Sequence, residues 1–127
     1  DTEKEAELAG KYLNEFEIKA PNTEFLVANL SGGNQQKVSV SKALALNPTL
    51  LILDEPTRGV DVNAKAEIHK IISELTKKNL SIIMISSELP ELLGMCDRIY
   101  VMKDGAIAGC FDRDECTQEK ILSIALD

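Results

Sequence analysis

Leu50-Leu51-Ile52-Leu53 is an unbroken apolar run that ends on two carboxylates, Asp54 and Glu55, followed by Pro56. An apolar run without alternation suits a strand buried on both faces of a parallel sheet. A second run, Ile82-Ile83-Met84-Ile85, reads as another buried strand over residues 80–86. Between the two, Asp61 can cap a helix over residues 62–78. Ile68, Ile71, Ile72 and Leu75 fall at i, i+3, i+4 and i+7 of that helix and give it one apolar face. Lys77 and Lys78 suit its C-terminal dipole, and Asn79 suits its exit. A strand, a helix and a strand of this kind form a βαβ unit with a parallel pair, which sets the class as α/β.

The remaining segments fit around this unit. Residues 2–14 read as a charged surface helix with a thin apolar stripe, Leu8, Tyr12 and Leu13. Residues 16–19 alternate briefly before Pro21, and the connector 22–29 has Phe25, Leu26 and Val27 to bury. A helix over 33–46 takes its apolar face from Val40, Ala43, Leu44 and Ala45, and Asn47-Pro48 stops it. Ser87 can cap a short helix with Pro90 in its first turn and Gly94 at its end. Residues 98–102 read as a third strand, and Asp104-Gly105 is a hairpin signal that returns 107–111 antiparallel. A closing helix over 117–126 presents Ile121, Leu122, Ala125 and Leu126. No internal repeat or low-complexity stretch interrupts the chain.

Two stretches carry candidate chemistry. Ser31-Gly32-Gly33 opens a helix: Ser31 can cap it with its hydroxyl free to face a ligand, and the glycines leave the backbone open to approach. Unpaired N–H groups and the helix dipole make such a start an anion site. Two glycines alone are better explained as a capped start with a flexible turn. Asp54 and Glu55 emerge at the carboxyl end of a strand, where open α/β sheets bind ligands. An Asp there can hold a magnesium ion bridging phosphates, and a neighbouring Glu can orient or deprotonate water. Acidic residues at a strand end in solvent are an equal alternative for that motif by itself.

The two motifs together are more specific. Leu30-Ser31-Gly32-Gly33, then Leu50-Leu51-Ile52-Leu53-Asp54-Glu55-Pro56-Thr57, resembles the ATPase cassette of ABC transporters, and the resemblance runs to about Gly109. Leu30 to Gly33 matches the signature motif, Leu50 to Glu55 matches Walker B, and Gly59-Val60-Asp61 occupies the D-loop. Asn34-Gln35-Gln36-Lys37-Val38 and Pro56-Thr57-Arg58-Gly59-Val60-Asp61 look like the second cassette of the double-cassette ATPases of bacterial ribose, galactose and xylose import. The resemblance implies a P-loop NTPase fold that is only partial here, a mostly parallel sheet with flanking helices and a C-terminal hairpin. Residues 1–30 correspond to the end of a helical subdomain and its connector, and 31–127 to the C-terminal part of the ATPase core.

What the resemblance implies for the site follows residue by residue. Glu55 is the catalytic carboxylate and Asp54 the magnesium ligand. Ser31, Gly32, Gly33, Gln35, Asp54, Asp61 and Ser87 are nucleotide-binding. ATP and Mg2+ are the cofactors of the complete cassette. Cassettes of this family pair head to tail, so Ser31, Gly32 and Gly33 serve the partner's ATP, while Asp54, Glu55 and Ser87 serve their own. Ser87 stands where the family carries a switch histidine, and a neutral hydroxyl cannot replace imidazole at the γ-phosphate. One site of the pair is then the stronger, completed by this signature. The single histidine, His69, sits mid-helix and is given no role. A second cassette, membrane permease subunits and, indirectly, a sugar-binding protein are the implied partners, at the cytoplasmic face of a bacterial plasma membrane.

Composition narrows the alternatives. A net charge of −7 argues against a nucleic-acid surface, which needs a basic stripe. No stretch approaches the roughly 18 apolar residues of a membrane span, and no signal-peptide pattern opens the sequence. Cys96, Cys110 and Cys116 are odd in number and lack metal-site spacing, which reads as reduced thiols. The chain also lacks the Gly-x4-Gly-Lys-Ser/Thr phosphate loop. The isolated chain is therefore expected to be inactive, and a non-catalytic interaction module is one alternative. A soluble ABC ATPase outside transport is another, disfavoured by the acidic balance and the Asn34-Gln35-Gln36 signature. In the family the P-loop strand separates the strands matching 80–86 and 98–102. Without it, those strands are expected to pair directly or, preferably, to drive self-association.

Overall fold

The computed structural model describes residues 1–126. Its elements are α1 (Thr2–Glu15), α2 (Gly32–Leu44), β1 (Leu50–Asp54), α3 (Val62–Lys77), β2 (Ser81–Ile85), α4 (Leu89–Met95), β3 (Arg98–Lys103), β4 (Ala106–Asp112) and α5 (Gln118–Leu126), with short 3-10 turns at Val27–Asn29 and Arg113–Glu115. The chain divides into two compact units, and the division falls inside β2 between Ile83 and Met84.

In the first unit, α2 packs on α3. The buried apolar side chains are Phe16, Ile18, Val40, Leu51, Leu53, Ile68, Ile72 and Leu75. Of the predicted face of α3, Ile68, Ile72 and Leu75 are buried and Ile71 is half-buried. Asp61 accepts the Ala64 N–H at 2.9 Å, as the sequence predicts. The exit of α3 is a Schellman motif, with Asn79 at φ 64°. The Asn79 N–H bonds Thr76 and the Leu80 N–H bonds Leu75. The exit of α1 repeats it with Glu17 at φ 50°, its N–H on Asn14 and that of Ile18 on Leu13. That turn brings Phe16 and Ile18 into the core.

β1 and β2 are hydrogen-bonded neighbours in a small parallel sheet. The expectation of full burial fails for both. β1 alternates, with Leu51 and Leu53 buried and Ile52 60% exposed. β2 has no fully buried residue, and Ile83 and Ile85 are half exposed. The apolar run encodes a strand meant for two covering layers, and within this chain one face of β1 is covered while the other is bare.

In the second unit β3 and β4 form an antiparallel hairpin around Asp104 (φ 49°) and Gly105 (φ 79°), the two left-handed residues of a type I′ turn. Register slips by one residue at Val101/Met102, where β4 carries a bulge. Ile99, Val101 and Ile121 form the core, joined by Leu89, Leu92, Phe111 and Ile124. The expected apolar face of α5 is corrected: Ile121 and Ile124 pack, whereas Leu122, Ala125 and Leu126 are exposed. At helical spacing Leu122 falls off the face of Ile121 and Ile124, while Ala125, which the period places on that face, is nonetheless exposed. α4 runs past Gly94 to Met95. Its N-cap is Glu88 rather than Ser87, and the Ser86 hydroxyl accepts the Glu88 N–H at 3.0 Å. Direct pairing of β2 with β3 does not occur, since the two strands belong to separate two-stranded sheets.

Candidate functional site

The site is built at the start of two neighbouring helices. Ser31 is the N-cap residue of α2, in extended conformation, yet its side chain makes no capping bond. The sequence expectation is corrected here. The Asn34 side-chain amide donates to Ser31 Oγ at 2.9 Å, and Asn34 Oδ1 accepts the Lys19 N–H at 3.0 Å. As the acceptor in this bond, the exposed Ser31 hydroxyl still has its proton to donate.

The two glycines differ. Gly32 is exposed, and a Cβ there meets only ordinary contacts, Gly59 O at 3.5 Å and Val60 Cγ1 at 3.8 Å. Gly33 is buried, and a Cβ there falls 2.5 Å from Ala64 Cβ. Gly32 therefore leaves a backbone N–H open to approach, while Gly33 lets α2 touch α3. Gln35 is engaged inward: its amide donates to the carbonyls of Leu30 at 2.9 Å and Ala28 at 3.4 Å, which ties the preceding 3-10 turn to α2.

Ser31, Gly33, Asn34, Asp61, Ala64 and Glu67 line one polar depression of about 230 Å³. Ser31, Gly33 and Asp61 thus share a surface. Asp54 and Glu55 lie at the carboxyl end of β1 in the same unit, Asp54 exposed and Glu55 half-buried. Glu55 sits at φ 49°, and its carbonyl accepts the Arg58 N–H at 3.1 Å. A left-handed glutamate costs roughly 1–2 kcal/mol, and its occurrence at the strand end turns the chain sharply out of β1. Ser87 is exposed and belongs to the second unit.

No cluster of three or more His, Cys, Asp or Glu side chains is arranged to hold a metal among the described residues. A lone exposed Asp54 fits magnesium that arrives on a nucleotide. That ion takes one or two carboxylates and completes its shell with phosphate oxygens and water.

Sequence reasoning missed Lys37 and Glu67. Lys37 is 3% exposed, and its Nζ lies 2.6 Å from Glu67 Oε2 on α3. The hydrogen bond from Lys37 holds the Glu67 carboxyl below the usual carboxylate range. The signal was present: Gly33, Lys37, Val40 and Ser41 form the buried stripe of α2, and a lysine on such a stripe requires a partner.

The fold is that of part of an ABC ATPase cassette, in the P-loop NTPase class. Residues 1–58 match the family model described as ABC transporter. The xylose import ATP-binding protein of Moorella thermoacetica is 55% identical over 90% of this chain and 23% of its own length. The ribose import ATP-binding protein of Clostridium perfringens is 52% identical over 99% of this chain and 25% of its own length. A nucleotide-free ATP-binding cassette from an ABC transporter superposes with a TM-score of 0.83 at 26% identity, over 96% of this chain and 50% of that one. Over residues 1–58 the chain carries an ABC transporter domain, and it spans about a quarter of the length of the curated relatives it matches.

Proposed function

We propose that this chain is the signature-bearing part of the second cassette of an ATP-binding subunit that energises import of a simple sugar. The observation that carries the reading is the shared depression of Ser31, Gly33 and Asp61 at two helix starts, in a chain more than half identical to sugar-import ATP-binding proteins. ATP, with magnesium, supplies the cleavable phosphoanhydride. Ser31 donates its hydroxyl proton, and Gly32 its N–H, to the phosphate held by a partner cassette. Asp61 caps α3 and keeps the facing wall in place. In the home site Asp54 holds the ion, and Glu55 orients or deprotonates the attacking water. Ser87, in the second unit, offers no imidazole to an ATP site, and the site that this signature completes is the stronger of the pair in this reading. Residues 1–30 close a helical subdomain, and 31–127 belong to the ATPase core.

The partners in this reading are a second cassette, membrane permease subunits and, through them, a sugar-binding protein, at the cytoplasmic face of a bacterial plasma membrane. The test uses the complete protein reconstituted with its permease. ATP hydrolysis rises when xylose- or ribose-loaded binding protein is added, and hydrolysis indifferent to every sugar overturns the import reading. Calorimetry on the chain alone should show no micromolar Mg-ATP binding.

By itself the chain is proposed to self-associate. Ile83 and Ile85 of β2 are half exposed, and such a strand recruits another chain. Sedimentation over a concentration series should show a dimer or larger species; a strictly monomeric one removes this proposal.

A further inference from the structure

We propose that Lys37 and Glu67 are a positioning pair that holds the signature motif in register with the D-loop aspartate. The inference rests on the ATPase reading above and adds to it two residues outside the nucleotide-binding set.

The two helices α2 and α3 touch first at Gly33 and Ala64, one residue into α2 and two into α3. A single point of contact leaves the helices free to pivot about it. Lys37 and Glu67 each lie five residues beyond the helix start, and their 2.6 Å contact supplies a second point. Two fixed points remove the pivot. What the pivot would move is the pair of N-termini, where Ser31 precedes one helix and Asp61 the other.

The pair is set for this. Lys37 is almost wholly buried, so its ammonium is tolerated only while paired. Its Nζ also reaches the carbonyl of Glu17, at the left-handed exit of α1, at 3.4 Å. The lysine thus draws three elements to one atom. Glu67 is 48% exposed and forms part of the wall of the depression that holds Ser31 and Asp61. A shift of Glu67 is therefore a shift of the site's lining.

The experiment compares Lys37→Met, Glu67→Gln, the double variant and Lys37→Arg in the complete ATP-binding protein with its permease. Misplacement of about 1 Å by a change outside the chemistry can cost on the order of 10²-fold in rate. We expect kcat to fall about tenfold or more in Lys37→Met and less in Glu67→Gln, with KM for ATP within about twofold of wild type. The double variant should be no worse than the more affected single variant, and Lys37→Arg should recover most of the rate. An unchanged kcat, or additive losses, overturns the pair. If Lys37→Met does not fold, Glu67→Gln, on a half-exposed residue, carries the test.

A second readout needs no turnover. Amide exchange at Gln35, Ala64 and Lys65, whose N–H groups bond Ser31 and Asp61, measured without nucleotide, should quicken about tenfold in Glu67→Gln while α5 stays unchanged. Unaltered exchange overturns the positioning role. A wild-type assembly that hydrolyses no ATP overturns the functional reading and leaves the exchange result standing.

Discussion

Gly33→Val is expected to cost about 3 kcal/mol or more of stability, and Gly33→Ala about 1–3 kcal/mol, the range for overpacking a filled site. The cause is geometric. A Cβ at Gly33 lies 2.5 Å from Ala64 Cβ, well inside contact distance, and the obstructing atom cannot swing aside because it is fixed to the α3 backbone. α2 must move off α3, which opens the contact at Gly33 and pulls Lys37 away from Glu67. Net stabilities of about 5–15 kcal/mol make such a loss a large fraction of the whole. Gly32→Ala supplies the control. Its Cβ meets only ordinary contacts, and it should stabilise the helix start by about 0.4–1 kcal/mol. Urea midpoints of the complete protein decide the matter. Equal effects at the two glycines would show that α2 does not rest on α3 through Gly33.

The contrast also shows what can be read from the sequence. Adjacent glycines look alike in a chain, and anion binding accounts for both equally well. Only the crossing of α2 over α3 separates a glycine required by packing from one left open to ligand. The elements themselves were legible, because each carries a local cause. Asp61 caps, Asn79 takes the left-handed exit, Asp104-Gly105 makes the hairpin, and the isoleucines of α3 repeat at helical spacing. Burial was less legible. The run Leu50–Leu53 specifies a strand for two covered faces, but sequence does not say which layers a given stretch of chain contains, and Ile52 remains exposed. The roles of short polar side chains were least legible. Ser31 and Ser87 both look like caps, yet Asn34 engages the first and Glu88 takes the N-cap position in place of the second. Several acceptors lie within reach of a hydroxyl in each case, and tertiary context chooses among them. Lys37 was passed over because lysines on helices are usually solvated, and its partner lies thirty residues away on another helix.

Gly32→Asp is expected to separate folding from function. Aspartate in the first turn of a helix is favourable, by about 0.3–1 kcal/mol, because it meets the positive end of the dipole. The space is available, so the variant should be as stable as wild type or more so. In the proposed site the same carboxylate stands where a partner's nucleotide phosphate docks. Two like charges about 4 Å apart repel by about 4 kcal/mol at an effective dielectric near 20, enough to remove at least ~10²-fold of ATP turnover. Ser31→Arg should fail for a different reason, since it fills the docking position with bulk and removes the hydroxyl that Asn34 orients. Gly32→Asn matches aspartate in shape without the charge, and should retain substantially more activity. The three are read together as ATPase rate and thermal midpoint in the complete transporter. If Gly32→Asn lost as much as Gly32→Asp, sterics rather than charge would govern the site. If Gly32→Asp turned over ATP at the wild-type rate, the start of α2 would not face a phosphate at all.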